Sequence, residues 1–169
     1  MCECFAQYNH DAGALRDWTL QKTAAHKSRD FGDSLDAVEG KWADFSSYKK
    51  NEKPPKTQAK LDLEAQFATL QTKLRVQGRP AYTPPAGLSP GDIDGLWSAL
   101  GDEERARAVA IRAELERQQR IKALVDRFTR RADALDQWSA SNKNFLGQSD
   151  VGHDLASCQA IFLAFFYFL

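Results

Sequence analysis

Apolar residues recur at spacings of three and four over a long stretch of the sequence, from Asp92 to Leu146. The repeated positions are Ile93, Trp97, Leu100, Ala108, Ile111, Leu115, Ile121, Leu124, Phe128, Leu135 and Trp138. This period is that of one face of an α-helix, whereas a strand would alternate apolar and polar residues. The stretch contains no proline, so it predicts a single helix, roughly 80 Å long at about 1.5 Å per residue. Such a helix indicates a coiled coil or a rod of successive bundles, because its arginines and glutamates exclude a membrane span.

Three shorter helical patterns precede the long one. Their apolar residues are Leu15, Trp18 and Ala25, in a helix from about Asp11; then Leu35, Val38, Trp42, Phe45 and Tyr48; then Leu63, Phe67, Leu70 and Leu74. Pro54 and Pro55 lie between the second and third patterns, and proline lacks an N–H donor and clashes with the preceding helical turn. We expect two helical pieces in line, joined at this proline step. Residues 1–10 show no period and are predicted to be disordered.

A loop is predicted from Val76 to Gly91, which holds four of the six prolines. We expect Tyr82 and Leu88 in this loop to pack back onto the helices. A second break is predicted between Gly147 and Gly152, with another helix after it. Three helices of alternating direction make a bundle, and the long helix beyond about residue 121 must belong to a second bundle. The predicted fold class is therefore all-α.

The composition is that of a chain able to bury a core. There are 23 Lys plus Arg against 23 Asp plus Glu, with 43% hydrophobic residues. A balanced charge gives no net field to attract nucleic acid or an anionic membrane. The three cysteines, Cys2, Cys4 and Cys158, are odd in number and lie near the ends, which argues against a disulfide framework and favours a reducing, cytoplasmic compartment.

Motifs for catalysis or cofactor binding are absent from the sequence. It has no glycine-rich phosphate loop, serine elbow or HExxH pair, and His10, His26 and His153 are dispersed. Cys2 and Cys4 with His10 offer too few ligands at finger-like spacing for zinc. We therefore predict no enzyme activity, no cofactor and no metal, and we interpret His26 as a surface histidine near a helix end.

Two groups of charged residues on the long helix have a simple interpretation. The acidic run 102–104, followed by Arg105 and Arg107, is typical of a solvated helix face. The second group is a small basic cluster, Arg127, Arg130 and Arg131, which we expect to pair with Asp126 and Asp133 on the surface. Contact of this cluster with phosphoinositide headgroups is the alternative.

Four ordered motifs carry a resemblance to a known family. They are Lys53-Pro54-Pro55-Lys56, the segment Phe67 to Arg75, Arg79-Pro80-Ala81-Tyr82, and the segment Asp92 to Trp97. These motifs resemble the first spectrin repeat of α-actinin, and the resemblance covers roughly Leu15 to Leu146. It implies a spectrin-repeat three-helix bundle over 11–120, the start of a second repeat over 121–160, and a divergent apolar tail over 161–169.

The resemblance also implies a function. In that family the rod dimerises antiparallel, two calponin-homology domains ahead of the rod bind actin, and a calmodulin-like module follows it. We expect both of these parts to lie outside this chain, which we interpret as a fragment or an imperfect gene product that does not bundle filaments alone. The chain would then be a structural rod segment in the cytoskeleton, a spacer and dimer contact whose partner is another α-actinin-like subunit and which reaches actin indirectly.

Structural or interface roles are predicted for thirteen apolar residues. They are Trp18, Trp42, Phe45, Phe67, Leu70, Leu74, Trp97, Leu100, Ile111, Leu115, Phe128, Leu135 and Trp138. The alternative function is a helical adaptor, in which the face formed by the last three of these residues binds a partner helix. The family usually has bulky apolar residues where this chain has Arg107, Ala110 and Gln118, so we expect a thinner seam along the long helix.

The tail from Ile161 to Leu169 is apolar where the family continues a charged helix. Nine residues are about half the length needed to cross a bilayer, so a membrane anchor is not the favoured interpretation. Frameshifted or unspliced sequence is the favoured interpretation of the tail. The remaining alternative is a tail that folds back and covers Phe128, Leu135 and Trp138.

Overall fold

The computed structural model describes residues 2–147 and 154–167. Its helices are α1 (Cys2–Lys27), α2 (Leu35–Ser47), a π-helical turn π1 (Tyr48–Glu52), α3 (Lys53–Val76), α4 (Pro90–Leu146) and α5 (Leu155–Tyr167). The described residues contain no strand, which confirms the all-α fold class. The chain divides into two compact units, residues 1–120 and 121–169, and α4 contributes residues to both.

The first unit is a three-helix bundle of alternating direction. The start of α1 contacts the end of α3, since the Tyr82 hydroxyl just beyond α3 donates to Asn9 Oδ1 at 2.7 Å. The end of α1 contacts π1, where the rings of His26 and Tyr48 lie 4.6 Å apart. Helix α4 runs parallel to α1, because Ile93 and Tyr8, near the starts of the two helices, share one core group while Arg107 reaches the carbonyls at the end of α1.

Helix α1 begins at Cys2, so the predicted disorder of the N-terminal residues is wrong for the described positions 2–10. Tyr8 is completely buried, and its hydroxyl donates to the carbonyl of Leu88 at 2.9 Å. Tyr8, Ala12 and Leu15 follow one another at spacings of four and three, which places them on one face against α3 and α4. The apolar spacing at Leu15 therefore continues back to Tyr8, and the packing of these side chains stabilises the first turns of α1.

The proline step is a local widening of the helix. The N–H of Lys53 donates to the carbonyl of Tyr48, five residues back, and Pro54 and Pro55 occupy the first turn of α3. Prolines are tolerated in a first turn because their missing N–H groups have no intrahelical partner there. The π turn thus lets α2 and α3 follow each other without an interruption, as the two pieces in line that the sequence predicts.

The loop between α3 and α4 is fixed at both ends. Gly78, at φ 67°, ends α3, and the next residue's N–H donates back to the carbonyl of Leu74 at 3.0 Å. Ser89 precedes α4, and its Oγ accepts from the N–H of Asp92 while the Asp92 carboxylate accepts from the Ser89 N–H. Leu88 is buried and Tyr82 packs on the core, as predicted.

Two groups of buried side chains form the core of the first unit. The group at the start of α1 consists of Tyr8, Ala12, Leu15, Leu63, Leu70, Leu88 and Ile93. The group at the other end consists of Phe31, Val38, Phe45, Tyr48 and Ile111. Ser34 caps the start of α2 beside the second group, since its Oγ accepts from the N–H of Ala37 at 3.2 Å.

Candidate functional site

The thirteen apolar candidates fall into three groups by burial. Phe45, Leu70, Leu74, Leu100 and Ile111 are buried; Trp18, Trp42, Phe67, Trp97 and Leu115 are partly buried; Phe128, Leu135 and Trp138 are exposed. The first two groups lie in the first unit, and the third lies in the second unit. The structure therefore separates residues that hold the bundle together from residues that present an apolar face.

Stacked aromatic rings join the three helices of the first unit. Trp18 on α1 stacks on Trp97 of α4 with ring centroids 6.0 Å apart, and on Tyr48 of π1 at 6.2 Å. Lys53 lies over the Trp97 ring at 5.7 Å, and Lys56 lies over Trp18 at the same distance. Such cation–π contacts add to the packing of aromatic surfaces, so lysines of α3 cover the aromatic seam.

A buried carboxylate lies at the centre of the bundle. Glu104 of α4 is only 4% exposed; it accepts from the Tyr48 hydroxyl at 2.8 Å and from Lys53 Nζ at 2.5 Å. Burial, followed by the hydrogen bond to this carboxylate, raises the pKa of Tyr48 above its usual range. The interpretation of 102–104 as a solvated face is therefore wrong at Glu104, because the π turn brings two donors to that carboxylate.

His26 is buried rather than on the surface, so that prediction is also wrong. Its ring makes edge contacts with Phe45 and Tyr48, at centroid distances of 5.5 and 4.6 Å. Burial lowers the pKa of His26, and the positive charge of Arg107 lowers it further. The last turn of α1 packs against the junction of α2 and π1, a contact that the local sequence does not indicate.

Arg107, one of the departures from the family pattern, ties the end of α1 to α4. Its guanidinium donates to the carbonyl of Ser28 at 2.7 Å and lies 5.4 Å from the Phe31 ring. Carbonyls at a helix C-terminus lack intrahelical donors, so an arginine there caps them. Gln118 is buried as well and donates to Glu114 at 2.8 Å. At both positions of the long helix, Arg107 and Gln118, hydrogen bonds thus take the place of the apolar contacts usual in the family.

The second unit presents an apolar face to solvent. Phe128 and Leu135 are 74% and 62% exposed, and Ile121, Leu124 and Trp138 are also exposed. The described part of α5 therefore leaves Phe128 and Leu135 largely exposed, against the fold-back alternative at these two positions. Phe162 and Leu163 of α5 are themselves exposed, while residues 168–169 of the tail lie outside the described residues.

The basic cluster of the second unit lacks its expected partners. Arg127, Arg130 and Arg131 are exposed and make no ion pair with the described residues. Asp126 Oδ2 lies 3.9 Å from Lys122 Nζ instead. The predicted pairing of Asp126 with the arginine cluster is therefore wrong.

The described residues offer little for ligand chemistry. Within 2–147 and 154–167, no three His, Cys, Asp or Glu side chains are grouped so that they could hold a metal ion. A groove of about 570 Å³ lies between the start of α1 and α3, lined by side chains such as Gln7, Gln66 and Thr69. None of the helices in the described parts of the chain has both the length and the apolar character needed to cross a membrane.

This arrangement defines an all-α, spectrin-repeat type of bundle whose third helix continues into a second unit. No family model matches the sequence. α-Actinin A of Dictyostelium discoideum is 40% identical over 155 residues, which is 92% of this chain and 18% of the relative. The spectrin β chain of Drosophila melanogaster is 36% identical over 153 residues, 90% of this chain and 7% of the relative. An α-actinin of Dermatophagoides farinae is 33% identical over 153 residues, 90% of this chain and 17% of the relative.

Each of these similarities extends over at least nine-tenths of the chain. The chain belongs to the α-actinin and spectrin repeat family, as its motifs predict. It spans less than a fifth of the length of each of these curated relatives.

Proposed function

We propose that the chain is a rod segment of an actin-crosslinking cytoskeletal protein similar to α-actinin, where it acts as a spacer and as part of an antiparallel dimer contact. One observation carries the proposal: the 40% identity to α-actinin A extends over 92% of a chain whose α4 helix continues from the first compact unit into the second. A helix shared by consecutive bundles is how tandem repeats of this kind are joined.

The spacer role is mechanical. Backbone hydrogen bonds run along each helix, so a load applied along the axis is shared among them. The ion pair of Glu104 with Lys53, and the hydrogen bond from Arg107 to the Ser28 carbonyl, would resist sliding of the helices past one another. The buried candidates, such as Leu100 and Ile111, would maintain the bundle. No catalysis is needed for this role.

The partners follow from the same proposal. The chain would contact another α-actinin-like subunit and would reach actin filaments through calponin-homology domains that are not within these 169 residues. Its location would be the cytoplasmic cytoskeleton. Nucleic acid is not an expected partner because charge is balanced, at 23 basic and 23 acidic residues.

A chimera tests the dimer contact. The segment of Dictyostelium α-actinin A that matches this chain is replaced by the corresponding residues of this chain, and the mass is measured by sedimentation equilibrium. We expect a dimer with a dissociation constant within about tenfold of the unmodified protein's, a difference of about 1.4 kcal/mol. A chimera that folds, as judged by circular dichroism, but remains a monomer would refute the dimer contact.

A second candidate function is a helical adaptor, and the exposed Phe128 and Leu135 favour it. An exposed apolar stripe on a helix can bind the apolar face of another helix. Titration with an amphipathic helical peptide would then increase helicity and shift the fluorescence of Trp138. The variant Phe128→Ser/Leu135→Ser should abolish both changes. An unchanged signal in the original chain would exclude the adaptor.

A further inference from the structure

We propose that the end of the bundle where α1 finishes is a pH-sensitive corner, in which protonation of His26 loosens the packing of α1 against π1 and α4. This property is separate from the rod function and does not depend on it. The corner consists of the last turn of α1, the following segment 28–34, π1, and the part of α4 around Arg107.

The geometry at His26 is that of a neutral imidazole. The residue is 7% exposed, and its Nε2 has no hydrogen-bond partner among the described residues. Two aromatic rings lie against it, Phe45 at an interplanar angle of 88° and Tyr48 at 66°. A charged imidazolium has two N–H donors, and a buried donor without an acceptor is costly. Protonation therefore favours conformations in which water reaches Nε2.

The charges around His26 offer no spare acceptor. The groups that act on it from the packed elements are Lys22 on α1, Tyr48 on π1, Lys53 on α3, and Glu104 and Arg107 on α4, with Arg29 in the following segment bound to the His26 carbonyl. Glu104 already accepts from Tyr48 and Lys53. Glu52 pairs with Lys22 at 2.5 Å, and Glu103 pairs with Arg29 at 3.3 Å. A new positive charge would thus meet mainly other cations.

The sign of the effect follows from linkage. Because the pKa of His26 in the folded chain is below the ordinary 6.5, the unfolded chain binds more protons at mildly acidic pH. The free energy of unfolding therefore keeps its full value above about pH 6.5. It decreases as the pH falls from there, and it levels off only below the pKa that His26 has in the folded chain. The loss should be localised, because only the corner contacts the imidazole.

The contacts that would loosen are specific. Arg107 donates to the carbonyls of Ala25 and Ser28, at 3.4 and 2.7 Å, and these residues flank His26. An imidazolium in the same turn repels the guanidinium that makes both bonds. Phe31, buried beneath Arg107, would be released with them. Opening of this corner leaves the opposite core group, around Tyr8, intact.

Proton NMR of the whole chain tests the first step directly. The Cε1–H resonance of His26, assigned by its loss in His26→Gln, is followed between pH 8 and pH 5. We expect the pKa of His26 to lie below the ordinary 6.5. Amide exchange in the last turn of α1, corrected for its intrinsic pH dependence, should accelerate on acidification, while exchange around Tyr8 stays unchanged.

Variants test whether His26 causes the change. His26→Phe keeps an aromatic ring without a titrating group, and His26→Gln keeps a polar side chain without one, so either variant serves if the other does not fold. We expect both to lose most of the decrease in unfolding midpoint that the original chain shows between pH 7.5 and 5.5, and His10→Gln to retain it. Titration of His26 at or above 6.5, or an equal decrease in the His26 variants, would overturn the proposal.

Discussion

Replacement of Ile111 by alanine should destabilise the first unit strongly, because this side chain lies at the centre of a core group. Ile111 is completely buried and packs among Phe31, Val38, Phe45 and Tyr48. Alanine removes three carbon atoms, worth roughly 2.4 kcal/mol at about 0.8 kcal/mol per buried methylene. A cavity adds to this, so we expect a loss of about 2 to 5 kcal/mol in the free energy of unfolding.

A matched control lies two residues away on the same helix. Val109 is 70% exposed, so Val109→Ala removes methyl groups that contact water and should change stability by less than about 0.5 kcal/mol. Alanine raises helix propensity at both positions, so the difference between the variants reports burial rather than propensity.

Urea unfolding followed by tryptophan fluorescence measures both variants. Trp18, Trp42 and Trp97 belong to the first unit, and a Trp138→Phe background removes the tryptophan of the second unit. The midpoint should shift for Ile111→Ala with an unchanged slope, as expected for a stability change without a change in exposed area. A loss below about 1 kcal/mol, or equal losses for the two variants, would refute this account of the core.

Four further predictions concern single positions in the first unit. Glu104→Ala should cost about 1 to 3 kcal/mol in unfolding by urea, since it leaves the buried Tyr48 hydroxyl without its acceptor and the partly exposed Lys53 without its partner; a loss no larger than that of an exposed glutamate would contradict this. The Tyr8 hydroxyl is buried, which raises its pKa to about 12, so stability should fall above about pH 10, and Tyr8→Phe should reduce that fall in thermal unfolding. Gly32→Ala should destabilise by more than about 1 kcal/mol, because Gly32 has φ 86° and an added Cβ would lie 2.8 Å from the Cβ of Ala37. Gly40→Ala, in the interior of α2 with open space around it, should stabilise by about 0.5 to 1 kcal/mol in the same assay.

Periodicity was enough to predict the long helix, the broken helix before it and the loop between them. These elements have strong local signals: α4 keeps its apolar spacing over many turns, and the loop 77–89 contains three of the six prolines. The proline step was predicted for the same reason, since the constraint that proline imposes acts within one turn. The sequence does not predict that the turn is π-helical, because a kink or a break in the helix would also accommodate Pro54 and Pro55.

The errors share a different cause, which is long-range packing. Residues 2–10 hold only the first positions of the apolar face that continues through Ala12 and Leu15, and the Tyr8 hydroxyl donates to the carbonyl of Leu88, eighty positions away. The local sequence around Glu104 predicts an exposed glutamate, because its partners Tyr48 and Lys53 lie about fifty residues away in the chain. His26 becomes buried only when α1 meets the junction of α2 and π1. The burial of Glu104 could have been predicted by aligning α4 with the helix that faces it. Such an alignment places the glutamate opposite a tyrosine and a lysine, Tyr48 and Lys53.

The central claim is that this chain serves as a spacer in an actin-crosslinking rod, and the spacing of crosslinked filaments tests it most directly. The α-actinin A chimera is mixed with actin filaments, bundles are collected by low-speed sedimentation, and the distance between neighbouring filaments is measured by electron microscopy. The account predicts bundles with the same filament spacing as those made by unmodified α-actinin A. Folded, actin-binding chimeras that leave filaments unbundled, or that alter the spacing by the length of a repeat, would contradict it.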